Sequence, residues 1–242
     1  MAVKTRAFFL LVAALLAAGG AVGVLGYGLA APQTTLLGPA IARRLPADGR
    51  REAALTFDDG PSPYTAQVLD ILKANHVHAT FFLCGENAER YPGLVRRIAA
   101  EGHEIGNHTY SHPYLYLMDR ERIASEIDRT QDVLQRLTGR RPRLFRPPFG
   151  VRWFSLWPLL AERGLTMVLW SDWGRDADRT APEIAKGTLA QLSPGAIILM
   201  HDGYETRSAV ETDRSQTVAS LPAVIAGARK AGYSFVPVLE RR

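Results

Sequence analysis

Two adjacent carboxylates, Asp58 and Asp59, stand directly after the apolar run Ala53–Phe57. Ionised carboxylates at one site repel each other unless a cation or a proton lies between them. His108 and His112, four residues apart, provide two imidazoles that can join such a cation. Because zinc is commonly bound by two histidines and a carboxylate, with water in the remaining position, these residues predict a metal site of hydrolytic type. We expect both imidazoles on one face of a helical turn.

The general base of this site is expected to come from the carboxylate pair. No glutamate follows His108, so the segment is not the H-E-x-x-H motif of metalloproteases. Asp58 and Asp59 therefore offer one carboxylate for the metal and one for proton transfer. Adjacent side chains in an extended segment point in opposite directions. We expect the turn at Gly60 to bend both carboxylates toward one water.

Arg146 and His201 are the other candidates for chemistry. Two prolines follow Arg146 and fix the backbone, so its guanidinium is projected from a stiff segment and is suited to orienting a carboxylate. A salt bridge that only closes the fold is the alternative. His201 ends the apolar run Ala196–Met200, where an imidazole can protonate a leaving group near neutral pH. A packed structural histidine is the alternative there.

The N-terminal residues differ from the rest of the chain. Lys4 and Arg6 precede residues 7–31, a stretch of 25 residues without a charge. About 20 apolar residues cross a bilayer, whereas the core of a signal peptide has about 7–15. The length favours a retained cell-membrane anchor with its positive end in the cytoplasm and the catalytic domain outside it. Residues 28–31 offer a cleavage region, in which case the protein is secreted.

The whole chain has room for one large domain beyond a short appendage, at 242 residues. The net charge is +5, but the arginines are scattered and form no basic stripe, which argues against a nucleic-acid partner. We expect a monomer. The predicted organisation is a membrane anchor or signal segment at 1–31, a linker at 32–51 and a catalytic domain at 52–242.

Short apolar runs alternate with helical patterns from residue 52 onward, which favours a parallel α/β sheet, either barrel or doubly wound. No phosphate-binding glycine pattern follows the first run, which weakens the doubly wound interpretation. The candidate polar residues all follow different strands, and a barrel brings such ends to one mouth. We therefore predict a distorted or incomplete (β/α) barrel. The predicted strands are Ala53–Phe57, Thr80–Cys84, Glu104–Asn107, Leu144–Arg146, Met167–Trp170, Ala196–Met200 and Ser234–Val236.

The clearest helix is predicted by apolar spacing and a stop signal. Its buried face repeats at intervals of four and three, and Gly139 follows its end. The residues of that face are Ile123, Ile127, Thr130, Leu134 and Leu137. A last helix is predicted at about Thr217–Ala231.

Four ordered motifs resemble those of the polysaccharide deacetylase family, also known as the NodB homology domain or carbohydrate esterase family 4. The resemblance runs from about residue 52 to the C-terminus. It implies a distorted (β/α) barrel and hydrolysis of the N-acetyl group of N-acetylated amino sugars. The motifs are Thr56-Phe57-Asp58-Asp59-Gly60, His108-Thr109-Tyr110-Ser111-His112, Arg146-Pro147-Pro148-Phe149-Gly150 and Leu199-Met200-His201.

The resemblance also implies a role for each motif residue. Asp59, His108 and His112 would bind one divalent ion, usually Zn²⁺ and sometimes Co²⁺ or another metal. Asp58 would be the general base and Arg146 would orient it. The remaining roles fall to His201, as general acid toward the sugar amine, and to the backbone N–H of Phe149, as a donor to the oxyanion.

One motif departs from the family pattern, which has an Asp-Trp pair whose aspartate pairs with the arginine and tunes the acid histidine. An ungapped alignment places Asp176 at this aspartate and Ala177 at the tryptophan. Asp172-Trp173 is the alternative pair. We favour Asp176, and Trp173 then replaces the missing wall of the acetyl pocket. The other residues expected to line the pocket are Tyr110, Pro148 and Leu199.

The sequence thus predicts a membrane-tethered, metal-dependent deacetylase of an extracytoplasmic N-acetylglucosamine polymer, with peptidoglycan first among the substrates. The altered motif keeps a glycan-binding pseudoenzyme open as the alternative. A non-haem iron oxygenase would also use two histidines and one carboxylate. The strand and helix alternation argues against it.

Overall fold

The computed structural model describes residues 38–42, 49–173, 176–204 and 212–239, together with Gly23. Among these residues, no helix is long and apolar enough to cross a bilayer. The predicted anchor at 7–31 lies outside the described residues apart from Gly23, so the choice between anchor and cleaved signal stays a prediction.

The part of the chain that the structure describes forms one parallel sheet of eight strands. The hydrogen-bonded order is β5-β4-β3-β2-β1-β7-β6, and β8 pairs with the start of β1. Each of the seven predicted strands overlaps one of these, and β6 is the strand that the sequence pattern missed. The strands are β1 Glu52–Asp58, β2 Thr80–Leu83, β3 Glu104–Asn107, β4 Leu144–Phe145, β5 Thr166–Met167, β6 Asp172–Trp173, β7 Ala196–His201 and β8 Ser234–Phe235.

Helices connect the strands. In α4 the predicted apolar face is buried, Asp119 caps the first turn, and Gly139 ends the helix with a left-handed φ of 71°. Both predicted helices are therefore confirmed, the second as α7. The helices are α1 Pro63–Ala74, α2 Gly85–Arg90, α3 Pro92–Ala100, α4 Arg120–Thr138, α5 Leu156–Glu162, α6 Ala181–Gln191 and α7 Ser215–Lys230.

The sheet curls until its two edge strands approach each other. β5 and β6 lie at opposite ends of the hydrogen-bonded order, yet only residues 168–171 separate them in the chain. The Val168 N–H donates to Phe145 of β4, and the Ser171 N–H donates to Ile197 of β7. This segment bridges the open seam, which is the geometry of a distorted (β/α) barrel. The prediction of one strand over Met167–Trp170 was wrong, because its buried apolar run is this crossover.

Alternation along β1 divides the core and aims the site residues. Successive side chains of a strand point to opposite faces. Leu55 and Phe57 belong to the cluster between the sheet and its helices, whereas Ala54 belongs to a cluster inside the curled sheet. Thr56 and Asp58 share the inner face with Ala54. The strand therefore delivers Asp58 to the interior at its carboxyl end.

Candidate active site

Arg146 and Asp58 form a buried ion pair at the mouth of the sheet. Arg146 Nη1 donates hydrogen bonds of 2.7 Å to Asp58 Oδ1 and 2.7 Å to Thr56 Oγ1. Both side chains of the pair are almost completely inaccessible to solvent. Burial lowers the pKa of Arg146, and the charge of Asp58 opposes that shift. A charge that is buried without a partner is costly, so removing either residue of the pair would leave the other uncompensated.

The remaining donors of Arg146 bind backbone carbonyls of the seam. Nε donates to Val168 at 3.3 Å and Nη2 to Leu169 at 3.0 Å. The guanidinium also lies over the ring of Phe82, 4.1 Å from its centroid. These hydrogen bonds and the ring contact hold the plane of the Arg146 guanidinium in one orientation. Asp58 Oδ1 thus has a fixed position.

Asp59 turns its carboxylate toward the same space by a change in its own backbone. Its φ is 70°, in the left-handed region that aspartate tolerates better than most residues. The expectation that Gly60 makes the bend was therefore wrong by one residue. Asn87 Nδ2 donates to the Asp59 carbonyl at 2.7 Å. A Cβ on Gly203 would lie 2.1 Å from that carbonyl oxygen, so only glycine fits there.

Asp59, His108 and His112 form a buried cluster suited to a metal ion. Asp59 Oδ1 lies 3.4 Å from His108 Nε2 and 3.2 Å from His112 Nε2. Ligand atoms around a tetrahedral zinc ion lie roughly 3.3 Å apart. Asp59 Oδ1 is buried without a hydrogen-bond partner among the described residues. Since a cation would satisfy this oxygen, the three residues fit a divalent metal.

The charges of the cluster match those of metal ligands. Burial lowers the pKa of His112 to about 4, although the Asp59 charge opposes the shift. Burial raises the pKa of Asp59, but the nearby histidines outweigh it and hold that pKa well below the usual value. His108 Nδ1 lies 2.7 Å from the Arg146 carbonyl, so its N–H donates there and Nε2 faces the cluster. A carboxylate and two neutral imidazoles are the protonation states that bind metal.

The segment between the two histidines is an irregular loop, and the expectation of a helical turn was wrong. Thr109 and His112 have positive φ values of 67° and 52°. The Thr109 N–H donates to Asn107 Oδ1 at 2.9 Å rather than to a helical carbonyl. The spacing of four residues therefore brings the imidazoles together through a looped backbone, with ring centroids 5.0 Å apart.

Glu126 of α4 shapes this loop, and the sequence reasoning missed it. Its Oε2 accepts hydrogen bonds of 2.8 Å from the N–H groups of both Tyr110 and Ser111. Its Oε1 accepts one of 2.9 Å from Ser111 Oγ. The signal was present in the sequence, because Glu126 lies three residues after Ile123 and four before Thr130, on the buried face of the helix.

His201 stands beside Asp58, as its direct partner in the pairing of β1 with β7. Asp176 Oδ1 lies 2.8 Å from His201 Nδ1, and Oδ2 accepts the His201 backbone N–H at 2.7 Å. Thr217 donates to the same Oδ2 at 2.9 Å. Burial lowers the pKa of His201, but the charge and hydrogen bond of Asp176 outweigh it and raise the pKa to about 9. His201 is therefore protonated at neutral pH.

The structure places Asp176, of the two candidate aspartates, against His201. The side chains of Asp172 and Trp173 lie outside the described part, so Trp173 as a pocket wall stays a prediction. Arg146 donates to Asp58 rather than to this aspartate. The expectation that one aspartate contacts both Arg146 and His201 was therefore wrong. Arg146 contacts Asp58, and Asp58 lies beside His201 in the pairing of β1 with β7.

Of the other residues expected at the pocket, some lie near the metal cluster and one does not. Pro148 and Leu199 are buried. Phe149 has a φ of 58°, and its ring lies edge-on to His112 at 4.7 Å between centroids. Tyr110 points elsewhere, because its hydroxyl donates to Glu89 at 2.8 Å and Arg129 lies 3.6 Å over its ring. The structure brings Phe149, but not the Tyr110 ring, to the metal cluster.

Two further charged residues near the site were also missed. Burial raises the pKa of Asp202 to about 7; its Oδ2 accepts a hydrogen bond of 2.6 Å from Thr65. This bond ties the first turn of α1 to the end of β7. Arg214 Nη2 lies 3.6 Å from Asp59 Oδ2, on the side of the carboxylate away from the histidines. Asp202 follows His201 directly, which was the available signal.

The chain has a curled parallel sheet with an aspartate and two histidines at its carboxyl end. This arrangement is typical of metal-dependent hydrolases. The chain belongs to the polysaccharide deacetylase family, whose sequence model matches residues 46–168. The family resemblance of the four sequence motifs is thereby confirmed.

Similar proteins share both sequence and fold with the chain. A peptidoglycan-N-acetylglucosamine deacetylase of Bacillus cereus is 44% identical over 158 residues, which are 63% of this chain and 56% of that protein. A chitooligosaccharide deacetylase of a Bradyrhizobium species is 38% identical over 200 residues, 78% of this chain and 90% of that protein. The chain thus spans little more than half of the first relative and nearly all of the second.

Solved structures of the same family share the fold of this chain. A crystal structure of a peptidoglycan N-acetylglucosamine deacetylase matches with a TM-score of 0.75 and 38% identity, over 82% of this chain and 90% of that one. A mutant of a carbohydrate esterase family 4 pseudoenzyme, with restored enzymatic activity, matches with a TM-score of 0.73 and 25% identity, over 82% and 69%.

Proposed function

We propose that this protein removes N-acetyl groups from N-acetylglucosamine residues of an extracytoplasmic polysaccharide, with peptidoglycan as the principal substrate, and releases acetate. One observation carries the proposal. The buried cluster of Asp59, His108 and His112 has a carboxylate held by an arginine on one side and a protonated imidazole on the strand beside it. Metal-assisted amide hydrolysis uses a proton acceptor for the attacking water and a proton donor for the leaving amine beside the metal ligands.

Asp58 is the proposed general base. Its Oδ1 is held by Arg146, and its Oδ2 lies 3.8 Å from His108 Nε2, at the edge of the metal cluster. A bound divalent ion, with Zn²⁺ first among the candidates, supplies a Lewis acid that polarises the acetamide carbonyl and lowers the pKa of an attacking water. Oδ2 is the oxygen placed to take the proton of that water.

His201 is the proposed general acid. Asp176 occupies its Nδ1 side, so Nε2 is the nitrogen that gives a proton to the sugar amine. An amine is a poor leaving group unless it is protonated as the C–N bond breaks, and the charge of Asp176 favours the protonated form of His201 that supplies this proton. We place the Phe149 N–H as a donor to the carbonyl oxygen as negative charge develops there.

Acetate release by the purified full chain tests this function. The substrates are N-acetylglucosamine oligomers and peptidoglycan, with the protein loaded with Zn²⁺ or Co²⁺. We expect release that is lost on chelation and restored by metal. Asp58→Asn is isosteric and should lower kcat by about 10²–10⁴ while metal stays bound. Full activity of that variant would contradict the proposed base.

Glycan binding without turnover is the second candidate. Ala177 at the position of the family's tryptophan supports it. A metal-loaded protein that binds the oligomers but releases no acetate would favour this candidate. The geometry of Asp58 and His201 favours catalysis.

We also propose that residues 7–31 tether the catalytic domain outside the cytoplasm, beside the cell wall. The uncharged length of this segment supports the proposal. Fractionation of cells followed by N-terminal sequencing tests it. Recovery of the intact chain from membranes supports an anchor, and a chain beginning near residue 32 in the medium supports secretion.

A further inference from the structure

The exposed apolar surface of the described residues is concentrated in one place. Large apolar side chains that are substantially exposed there all come from two short segments, 114–117 and 149–157. They are Tyr114, Tyr116, Leu117, Phe149, Phe154 and Trp157. Scattered exposed apolar residues are ordinary, but a contiguous group marks a surface that binds something.

The aromatic members form a continuous row that starts at the metal cluster. Phe149 contacts His112 edge-on at 4.7 Å and stacks on Tyr114 at 4.4 Å, with the two planes 11° apart. Tyr114 lies 5.8 Å from Tyr116. Further contacts of 6.5 Å and 5.2 Å continue the row to Trp153 and Phe154. We name this row the aromatic strip: Phe149, Tyr114, Tyr116, Trp153 and Phe154.

We propose that the aromatic strip binds the sugar residues that neighbour the one being deacetylated in a long glycan chain. This inference rests on the proposed function. Pyranose rings present C–H groups on their faces and hydroxyls around their edges. Aromatic rings pack against such faces without stripping water from the hydroxyls, and tyrosine hydroxyls add hydrogen bonds. A surface of this composition fits a sugar polymer.

The direction of the aromatic strip supports this occupant. It begins at a ring that touches His112 and runs away from the cluster over several rings, so it is continuous with the proposed reaction centre. A polymer with one sugar at the metal cluster would lay its next residues along this row. The strip therefore extends the site on one side and favours longer chains.

The charges around the aromatic strip argue against a lipid surface as its occupant. Membrane-binding patches combine exposed apolar residues with unpaired basic ones. Here the arginines that follow Leu117 are paired with carboxylates. Arg120 lies 2.5 Å from Glu162, and Arg122 lies 3.3 Å from Asp119. The patch thus offers little net attraction for anionic lipid.

Binding measurements with the full chain test the proposal. The metal-loaded Asp58→Asn protein, which should not consume its ligand, is titrated calorimetrically with the hexamer and the dimer of β-1,4-linked N-acetylglucosamine. Tyr116→Ala/Phe154→Ala in that background removes two rings. Tyr233→Ala is the control, an aromatic residue near the opposite end of β1 that contacts Arg51.

We expect the hexamer to bind more tightly than the dimer. The double variant should weaken hexamer binding by about tenfold and lower the ratio of hexamer affinity to dimer affinity toward one, since it removes two ring contacts. The Tyr233→Ala control should keep the ratio.

An unchanged ratio in the double variant would overturn the proposal. So would binding to vesicles of anionic phospholipid, or self-association, that the double variant abolishes, because the occupant would then be different. Acetate release from the hexamer by the chain that carries none of these substitutions is measured separately. Its absence beside an intact hexamer preference would refute the proposed activity and leave the aromatic strip supported.

Discussion

Glu126 holds Ser111 through two hydrogen bonds, one of 2.8 Å to its N–H and one of 2.9 Å to its hydroxyl. Ser111 immediately precedes the metal-cluster residue His112, in a loop whose backbone has no helical hydrogen bonds to define it. The position of one proposed ligand therefore depends on a carboxylate of α4 that is not itself part of the metal cluster.

We predict that Glu126→Ala weakens Zn²⁺ binding by about 10–100-fold, the usual effect of losing a residue that orients a metal ligand. The free energy of unfolding should fall by about 1–3 kcal/mol, because buried N–H groups lose their acceptor. Competition with a chromophoric chelator measures the first and urea unfolding the second. Glu121→Ala, on the exposed side of the same helix, is the control. Equal zinc affinities for the two variants would refute the role of Glu126.

His112→Ala should abolish stoichiometric metal binding, because the cluster then keeps only two of its three ligands. Metal content after dialysis is the measurement. His103→Ala is a matched control: His103 is also buried, but its Nδ1 accepts the Ala79 N–H at 3.1 Å. We expect that variant to lose stability while it retains metal. A metal-loaded His112→Ala protein would show that the ion binds elsewhere.

The pKa of His201 gives a prediction for pH dependence. In the metal-free protein, NMR should find His201 titrating at about 9, and Asp176→Asn should move this pKa toward 6.5, because the neutral amide removes the charge that favours the imidazolium. Loading a divalent cation should also lower it. In the active enzyme, the alkaline limb of kcat should therefore move to lower pH in Asp176→Asn. If the alkaline limb of kcat does not move in Asp176→Asn, His201 is not the general acid.

The same pKa determines the sign of a stability effect. A histidine whose pKa rises on folding stabilises the protein fully below about 6.5, and this contribution is lost as pH rises through about 9. Urea unfolding of the metal-free protein should show a fall of about 3 kcal/mol over that window. Asp176→Asn should flatten the fall.

Arg146→Met should cost about 3–5 kcal/mol of stability, since it leaves Asp58 buried without its cation. Adding Asp58→Asn should recover part of the loss, which urea unfolding of the single and double variants measures as a coupling energy. Arg163→Met breaks a partly exposed pair with Asp128 and should cost less than Arg146→Met, about 1 kcal/mol. Strict additivity of the Arg146 and Asp58 changes would contradict the pairing.

The sequence predicted the parts of the fold that depend on local patterns. Six of the strands, the face of α4 and its stop at Gly139 follow from apolar periodicity and glycine conformation. The metal cluster was also predictable, because its residue types and motif order are specific. The sequence pattern failed at β6, since the two residues of that strand pair only after the sheet has curled, which is a tertiary event.

The details of the site that were missed have one physical cause in common. The left-handed backbone of Asp59 and the loop from His108 to His112 are imposed by distant partners, namely Asn87 and Glu126. No spacing rule reports such contacts. Buried polar residues on otherwise apolar faces were the available signals, and Glu126 is the clearest of them.

The segment 168–171 has a consequence for how the site tolerates change. It carries the chain across the seam between β5 and β6, and its first carbonyls accept hydrogen bonds from the same guanidinium that holds Asp58. The proposed base is thus aligned against the segment that joins the two edge strands of the sheet. We expect that inserting one residue into segment 168–171 would displace Asp58 through Arg146, without any direct contact between the insertion and Asp58. The four-residue length of this segment therefore sets the position of Arg146 and, through it, of the Asp58 carboxylate.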